Sequence, residues 1–210
     1  MASSAVADSV VAEIAAAGGE AVAVADDISK MASGERLIAT ALDRWGRIDG
    51  VVAVAGILRE RMLFNMSEDE FDAVIATHLK GHFTVFRHAA AIMRKQESGS
   101  LVGFTSGAYA GSVAQANYSA AKGGIVSLVR SAAVGLHRYG VRANAIAPGG
   151  FTRMVGQAMK DIEIKEPDEF TEFNAMNPGN SAPMVVWLAS DRSSFLTGET
   201  IQINGGAGVY

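Results

Sequence analysis

The chain has 210 residues, 49% of them apolar, which suits one hydrophobic core and excludes a disordered chain. It contains no cysteine, so disulfides, thiolate metal sites and a cysteine nucleophile are excluded. A net charge of −4 with no basic stripe argues against a nucleic-acid partner, and no charge-free apolar run is long enough to predict a membrane span.

Val6, Val10, Val11 and Ile14 share one helical face, and Gly18-Gly19 ends that helix. Residues 21–24 read as a short buried strand ending at Asp26-Asp27. A second helix is predicted over 32–45, closed by Gly46, followed by a strand over 48–55. Ser67-Glu-Asp-Glu70 is a capping box that opens a long helix to about residue 93. A strand over 100–105, a long helix over 116–139 and a strand over 141–147 follow. Residues 155–180 carry prolines and mixed charge and read as an irregular lid. A short helix over 182–190 and a last strand over 200–204 complete the chain. Apolar strands alternating with helices predict an α/β fold, a doubly wound parallel sheet in a single domain over 1–210. Ligands of such sheets bind beyond the carboxyl ends of the strands, and Asp27, Gly56, Ser106 and Pro148-Gly149 each follow one.

Tyr118 and Lys122 are four residues apart on one predicted helix and share a face. A free phenol, with a pKa of about 10, is a poor acid or base at neutral pH, and a neighbouring ammonium lowers it. Such a pair can exchange a proton with an alcohol or carbonyl oxygen. Ser106, at the end of the preceding strand, can hydrogen-bond that same oxygen. His78, His82 and His88 lie along one helix, and only His78 and His82 share a side, so no metal site is expected. No Gly-x-Ser-x-Gly elbow marks a serine hydrolase.

Three runs carry a family resemblance: Gly99-Ser-Leu-Val-Gly-Phe-Thr-Ser106, Gln115-Ala-Asn-Tyr-Ser-Ala-Ala-Lys122 and Val141-Arg-Ala-Asn-Ala-Ile-Ala-Pro-Gly149. Over nearly its whole length the chain resembles the short-chain dehydrogenase/reductase family, whose fold is Rossmann-like. The run from Ala55 to Met66, with His78-Leu-Lys-Gly81, resembles the branch of the dehydrogenase unit of multifunctional β-oxidation enzymes. The resemblance implies Tyr118 as general acid/base, Lys122 as the cation that lowers its pKa and holds the nicotinamide ribose, and Ser106 as the binder of the substrate oxygen. It also implies an NAD or NADP cofactor contacted by Asp27, Ile28, Ala55, Gly56, Tyr118, Lys122, Pro148, Gly149 and Thr152. A small hydroxy or keto substrate, a homodimer or homotetramer built through the two long helices and a cytoplasmic location are further expectations; residues 1–8 do not read as a secretion signal.

The chain departs from the family at four places. Ser106 is one residue closer to Tyr118 than usual, which leaves Thr105 as the other candidate hydroxyl. The family's Asn-Asn-Ala-Gly turn reads Ala53-Val-Ala-Gly56, and its helix Asn is His78, which reads equally well as a core histidine. The glycine-rich turn of the opening βαβ unit has no counterpart, so the fold is expected to be truncated at its N-terminal side, and dinucleotide binding is the open question. Gly103, Gly107 and Gly111 are regularly spaced but flank Ser106. In the family's strand order, residues 21–24 would lie two vacant strand positions, about 4.8 Å each, from residues 48–55. A longer protein, a sliding-in of the first strand, or a second chain would each resolve this. The competing function is a non-catalytic binding or scaffold protein that has lost the dinucleotide.

Overall fold

The structure, a computed structural model, describes residues 4–150 and 177–204. Its helices are α1 (Ser4–Ala16), α2 (Met31–Trp45), α3 (Glu68–Ile75), α4 (Gly81–Gln96), α5 (Ala116–Leu136) and α6 (Ala182–Ala189). The strands β1 (Gly50–Ala53), β2 (Gly99–Phe104), β3 (Val141–Pro148) and β4 (Thr200–Ile203) form one parallel sheet in the order β1-β2-β3-β4. Among the described residues no helix is long and apolar enough to cross a membrane.

Local chemistry explains the element ends. Gly46 stops α2 at a φ of 73°, where its lack of a Cβ removes the steric penalty. Asp26 accepts hydrogen bonds from Ser33 Oγ at 2.8 Å and Arg36 Nε at 2.7 Å, which fixes a carboxylate by the first turns of α2. The capping box of α3 is complete: Glu70 N–H donates to Ser67 Oγ, and Ser67 N–H donates to Glu70 Oε2 at 2.9 Å.

Strand alternation divides the core in two. Leu101 of β2 and Val141, Ala143 and Ala145 of β3 face Phe86, Ala89, Met93, Ile125 and Val129 of α4 and α5. Val102 and Ile146 point the other way, onto Leu188 of α6. Arg142 fastens this second layer, its guanidinium donating to the carbonyls of Leu188 at 2.8 Å and Ser190 at 3.0 Å. The sheet is thus covered on both faces.

Two expectations are corrected. Residues 21–24 form no strand and pair with nothing in the sheet; Val22 is exposed, and β1 lies at the sheet's edge, so the first segment has not slid in beside it. An apolar run becomes a strand only when a ladder satisfies its backbone. The predicted helix from 67 is interrupted by a π-helical turn, Ala76–Lys80, between α3 and α4. Helix α1 forms as expected, with Val6, Val10 and Ile14 exposed.

Helices α2 and α4 cross closely at Gly34, where an added Cβ would lie 2.6 Å from the Thr84 carbonyl oxygen. Gly34→Ala gains about 1 kcal/mol in helix propensity. Overpacking against backbone, at about 1–3 kcal/mol or more, outweighs it. Chemical denaturation of the variant is expected to show a net loss of about 1–2 kcal/mol.

Candidate active site

Tyr118 and Lys122 sit one turn apart on α5, whose N-terminus is anchored by the buried Asn117. Asn117 donates from Nδ2 to the carbonyls of Arg59 at 2.9 Å and Glu70 at 3.0 Å, and its Oδ1 accepts from Tyr118 N–H at 2.8 Å. The loop before the helix is tied down as well: Arg61 N–H donates to the Ala114 carbonyl at 2.7 Å. This anchoring aims both side chains at a cavity of about 600 Å³ beyond the carboxyl ends of β1, β2 and β3. That volume lies in the range of small-molecule sites. Ser106, Tyr118, Lys122, Pro148 and Gly149 all line it, together with His78 and an apolar wall of Val52, Val54, Val185 and Val186.

The two candidate hydroxyls differ in what they are free to do. Thr105 Oγ1 is buried and donates to the Lys122 carbonyl at 2.8 Å, so it braces the helix. Ser106 lines the cavity, its Oγ accepts weakly from Ala108 N–H at 3.3 Å, and its hydroxyl lies near enough to Tyr118 to favour the phenolate. The geometry therefore favours Ser106.

The electrostatics differ from the expectation that the ammonium lowers the phenol's pKa. Burial raises the Tyr118 pKa above the usual phenol value, and the neighbouring Ser106 hydroxyl only partly opposes this. Lys122 Nζ donates to the Phe104 carbonyl at 2.6 Å and lies 5.4 Å from the Tyr118 ring centroid. Its charge is engaged by that carbonyl, and burial lowers its own pKa to about 8.

His78, on the π turn, packs edge-on to Tyr118 with ring centroids 5.1 Å apart. Its Nε2 lies 2.7 Å from the Ile57 carbonyl, while its buried Nδ1 has no partner. Burial first, and then the Lys122 charge, lowers its pKa to about 4, so it is neutral at pH 7. The ring lies against Gly56, where an added Cβ would come within 2.2 Å of Cε1; close approach requires glycine there.

Not every predicted contact lines this cavity. Asp27, Ile28, Ala55 and Gly56 are not among the cavity-lining residues. Asp27 Oδ1 accepts from Ser29 N–H at 3.0 Å and Ser29 Oγ at 2.7 Å, a turn-forming role at the entry to α2. Ile28 offers its carbonyl to Thr84 Oγ1 at 2.9 Å. Thr152 and most of the expected lid lie outside the described residues. Sequence reasoning missed Asn117, His82 and the Phe104 backbone. An Asn at a helix start is a capping signal that could have pointed to the first; nothing local marks the other two.

Comparison with known proteins places the fold in a family. A family profile described as enoyl-(acyl carrier protein) reductase matches residues 2–208. Hydroxyacyl-CoA dehydrogenase ChsB1 of Mycobacterium tuberculosis is 43% identical, over 95% of this chain and 65% of its own length. Peroxisomal multifunctional enzyme type 2 of Mus musculus is 41% identical over 90% of this chain and 24% of its own. Among solved structures, a short chain dehydrogenase from Mycobacterium avium has a TM-score of 0.82 at 47% identity, covering 95% of this chain and 67% of that one. Levodione reductase has a TM-score of 0.85 at 34% identity, covering 96% and 82%. The chain belongs to the short-chain dehydrogenase/reductase family of oxidoreductases.

Proposed function

We propose that the chain interconverts a secondary alcohol and a ketone with NAD or NADP, using Tyr118, Lys122 and Ser106. The observation that carries this reading is the convergence of all three side chains on one cavity at the strand ends. The residues fit the nicotinamide end of a dinucleotide. The cavity is large enough, it carries a cation in Lys122, and at Gly149 an added Cβ would lie 3.0 Å from the Asn204 backbone, so the strand-end turn packs closely beside β4. No glycine-rich turn opening a helix provides a diphosphate site among the described residues.

The bound nucleotide supplies or accepts the hydride. Tyr118 donates its phenolic proton to the carbonyl oxygen in reduction and recovers a proton from the alcohol in oxidation. Its raised pKa keeps it protonated at neutral pH, the state reduction needs; oxidation, which needs the phenolate, is expected to accelerate as pH rises. Ser106 Oγ donates to the same substrate oxygen and orients it. Lys122 keeps a positive charge beside the ring as the phenolate forms. The apolar wall of Val52, Val54, Val185 and Val186 favours a bulky hydrocarbon group beside the reacting carbon, as in a 3-hydroxyacyl thioester or a steroid-like alcohol. Phe83 on α4 and Val134 on α5 are exposed and support a homodimer through these helices.

Titrating NADH and NADPH against the protein, followed by a 3-hydroxyacyl-CoA oxidation assay, tests the proposal. Saturable binding of one nucleotide and formation of the reduced cofactor are expected. No saturable binding of either would instead favour a non-catalytic binding protein, the reading suggested by the engagement of Asp27 with Ser29.

A further inference from the structure

Phe104 ends β2 at a point where the sheet's edge strand has already stopped. β1 finishes at Ala53, opposite Gly103, so the N–H and C=O that Phe104 turns toward that side have no strand partner. Two side chains from different helices take them. Lys122 Nζ on α5 donates to the carbonyl at 2.6 Å, and the N–H donates to His82 Nε2 on α4 at 3.2 Å. The following residue is pinned on the opposite side, Thr105 N–H donating to the Ile146 carbonyl at 2.8 Å.

His82 is buried and does not line the cavity. Its Nδ1 lies 2.7 Å from the His78 carbonyl, which can only accept, so Nδ1 carries the proton. In the neutral ring Nε2 is then a lone-pair acceptor, the role the Phe104 N–H requires. A protonated ring would set two donors against each other and place a second cation near Lys122. Burial and the neighbouring Lys122 and His78 keep it neutral, with a pKa lowered to about 4. Tyr118 on α5, His78 on the π turn and His82 on α4 are the titratable groups facing the amine. No carboxylate forms an ion pair with it among the described residues.

We propose that His82 is a positioning residue that fixes the Phe104 backbone, so that the Phe104 carbonyl holds the Lys122 amine in the cavity. Its catalytic consequence rests on the reading of Lys122 as a partner of Tyr118; its structural content does not. The first test is NMR of the wild-type chain with 15N-labelled histidine. A lone-pair Nε2, with a coupling to the Phe104 amide across the hydrogen bond, is expected; an Nε2–H tautomer overturns the proposal, whatever the variants do.

The second test follows the Lys122 side-chain signal through a pH titration, assigned by its loss in Lys122→Met. His82→Phe keeps the ring's shape and removes both hydrogen bonds, and is expected to lower the midpoint by about half a unit, a threefold change in the ionisation constant. His82→Gln, which has both a donor and an acceptor, is expected to restore it. Under the proposed function, kcat of the Phe variant falls about tenfold with KM within about twofold, and the Gln variant recovers most of it. A folded Phe variant with an unchanged lysine titration overturns the proposal. Should that variant not fold, the wild-type tautomer and the Gln variant decide. A wild type without turnover defeats the proposed function and leaves the NMR tests of His82 intact.

Discussion

Replacing Tyr118 with Phe is expected to lower kcat by about 10²–10⁴-fold, the range that general acid–base catalysis contributes. The change removes one oxygen. The ring keeps its edge contact with His78 and its place beside Lys122, and Asn117 still caps the backbone at residue 118. Nucleotide affinity and thermal stability should therefore stay near wild type while turnover collapses. That split separates a chemical role from a structural one. Ser106→Ala should cost less, because the serine orients the oxygen without moving a proton of its own. Steady-state kinetics of the two variants with a nucleotide titration alongside check both. A Tyr118→Phe protein with wild-type kcat would show that the proton travels by another route.

The second large effect is acid sensitivity. His78 and His82 are buried and neutral in the fold, each with a pKa lowered from 6.5 to about 4. The unfolded chain binds protons at about pH 6.5, so between pH 6.5 and 4 it holds more protons than the native state, and stability falls as pH falls. Each shift corresponds to about 3 kcal/mol. Together they approach the whole stability of a domain, about 5–15 kcal/mol. Each ring feels the Lys122 charge and His82 also feels His78, so the loss should form one steep transition. Urea unfolding at intervals from pH 7 to pH 4 measures it, and His82→Gln should flatten the slope by about half. A flat profile over this window would mean that the rings are not held neutral. Glu70, with a pKa lowered to about 2 first by Arg61, acts further down the scale.

What the sequence reveals and what it hides divide along the range of the interactions. Gly46, the Ser67–Glu70 box and the apolar runs of β2 and β3 are local signals: the glycine stops α2, the box starts α3 though not the unbroken helix expected, and the runs form their strands. The convergence of Tyr118, Lys122 and Ser106 on one cavity was legible because spacing on one helix and one strand end brings them together. Residues 21–24 misled because their composition suits a strand while a strand exists only through its neighbour. The lowered phenol pKa was expected from spacing alone. The fold overrides it because burial of the phenol raises its pKa, and the ammonium is turned to the Phe104 carbonyl, eighteen residues before the lysine in sequence. The tie between Phe104 and His82 depends on β1 ending one residue early, which no single-residue propensity encodes.

The sequestered amine of Lys122 sets durability against usefulness. With its pKa drawn down from 10.5 to about 8, it weighs on the native state by about 3 kcal/mol at neutral pH. Lys122→Met would lift that burden and leave the Phe104 oxygen unmatched, at about 1–3 kcal/mol. The mutant should be no less heat-resistant than its parent, and dead. Directed evolution for robustness alone would drift toward losing this nitrogen, so any hardening programme for the chain must score turnover alongside survival.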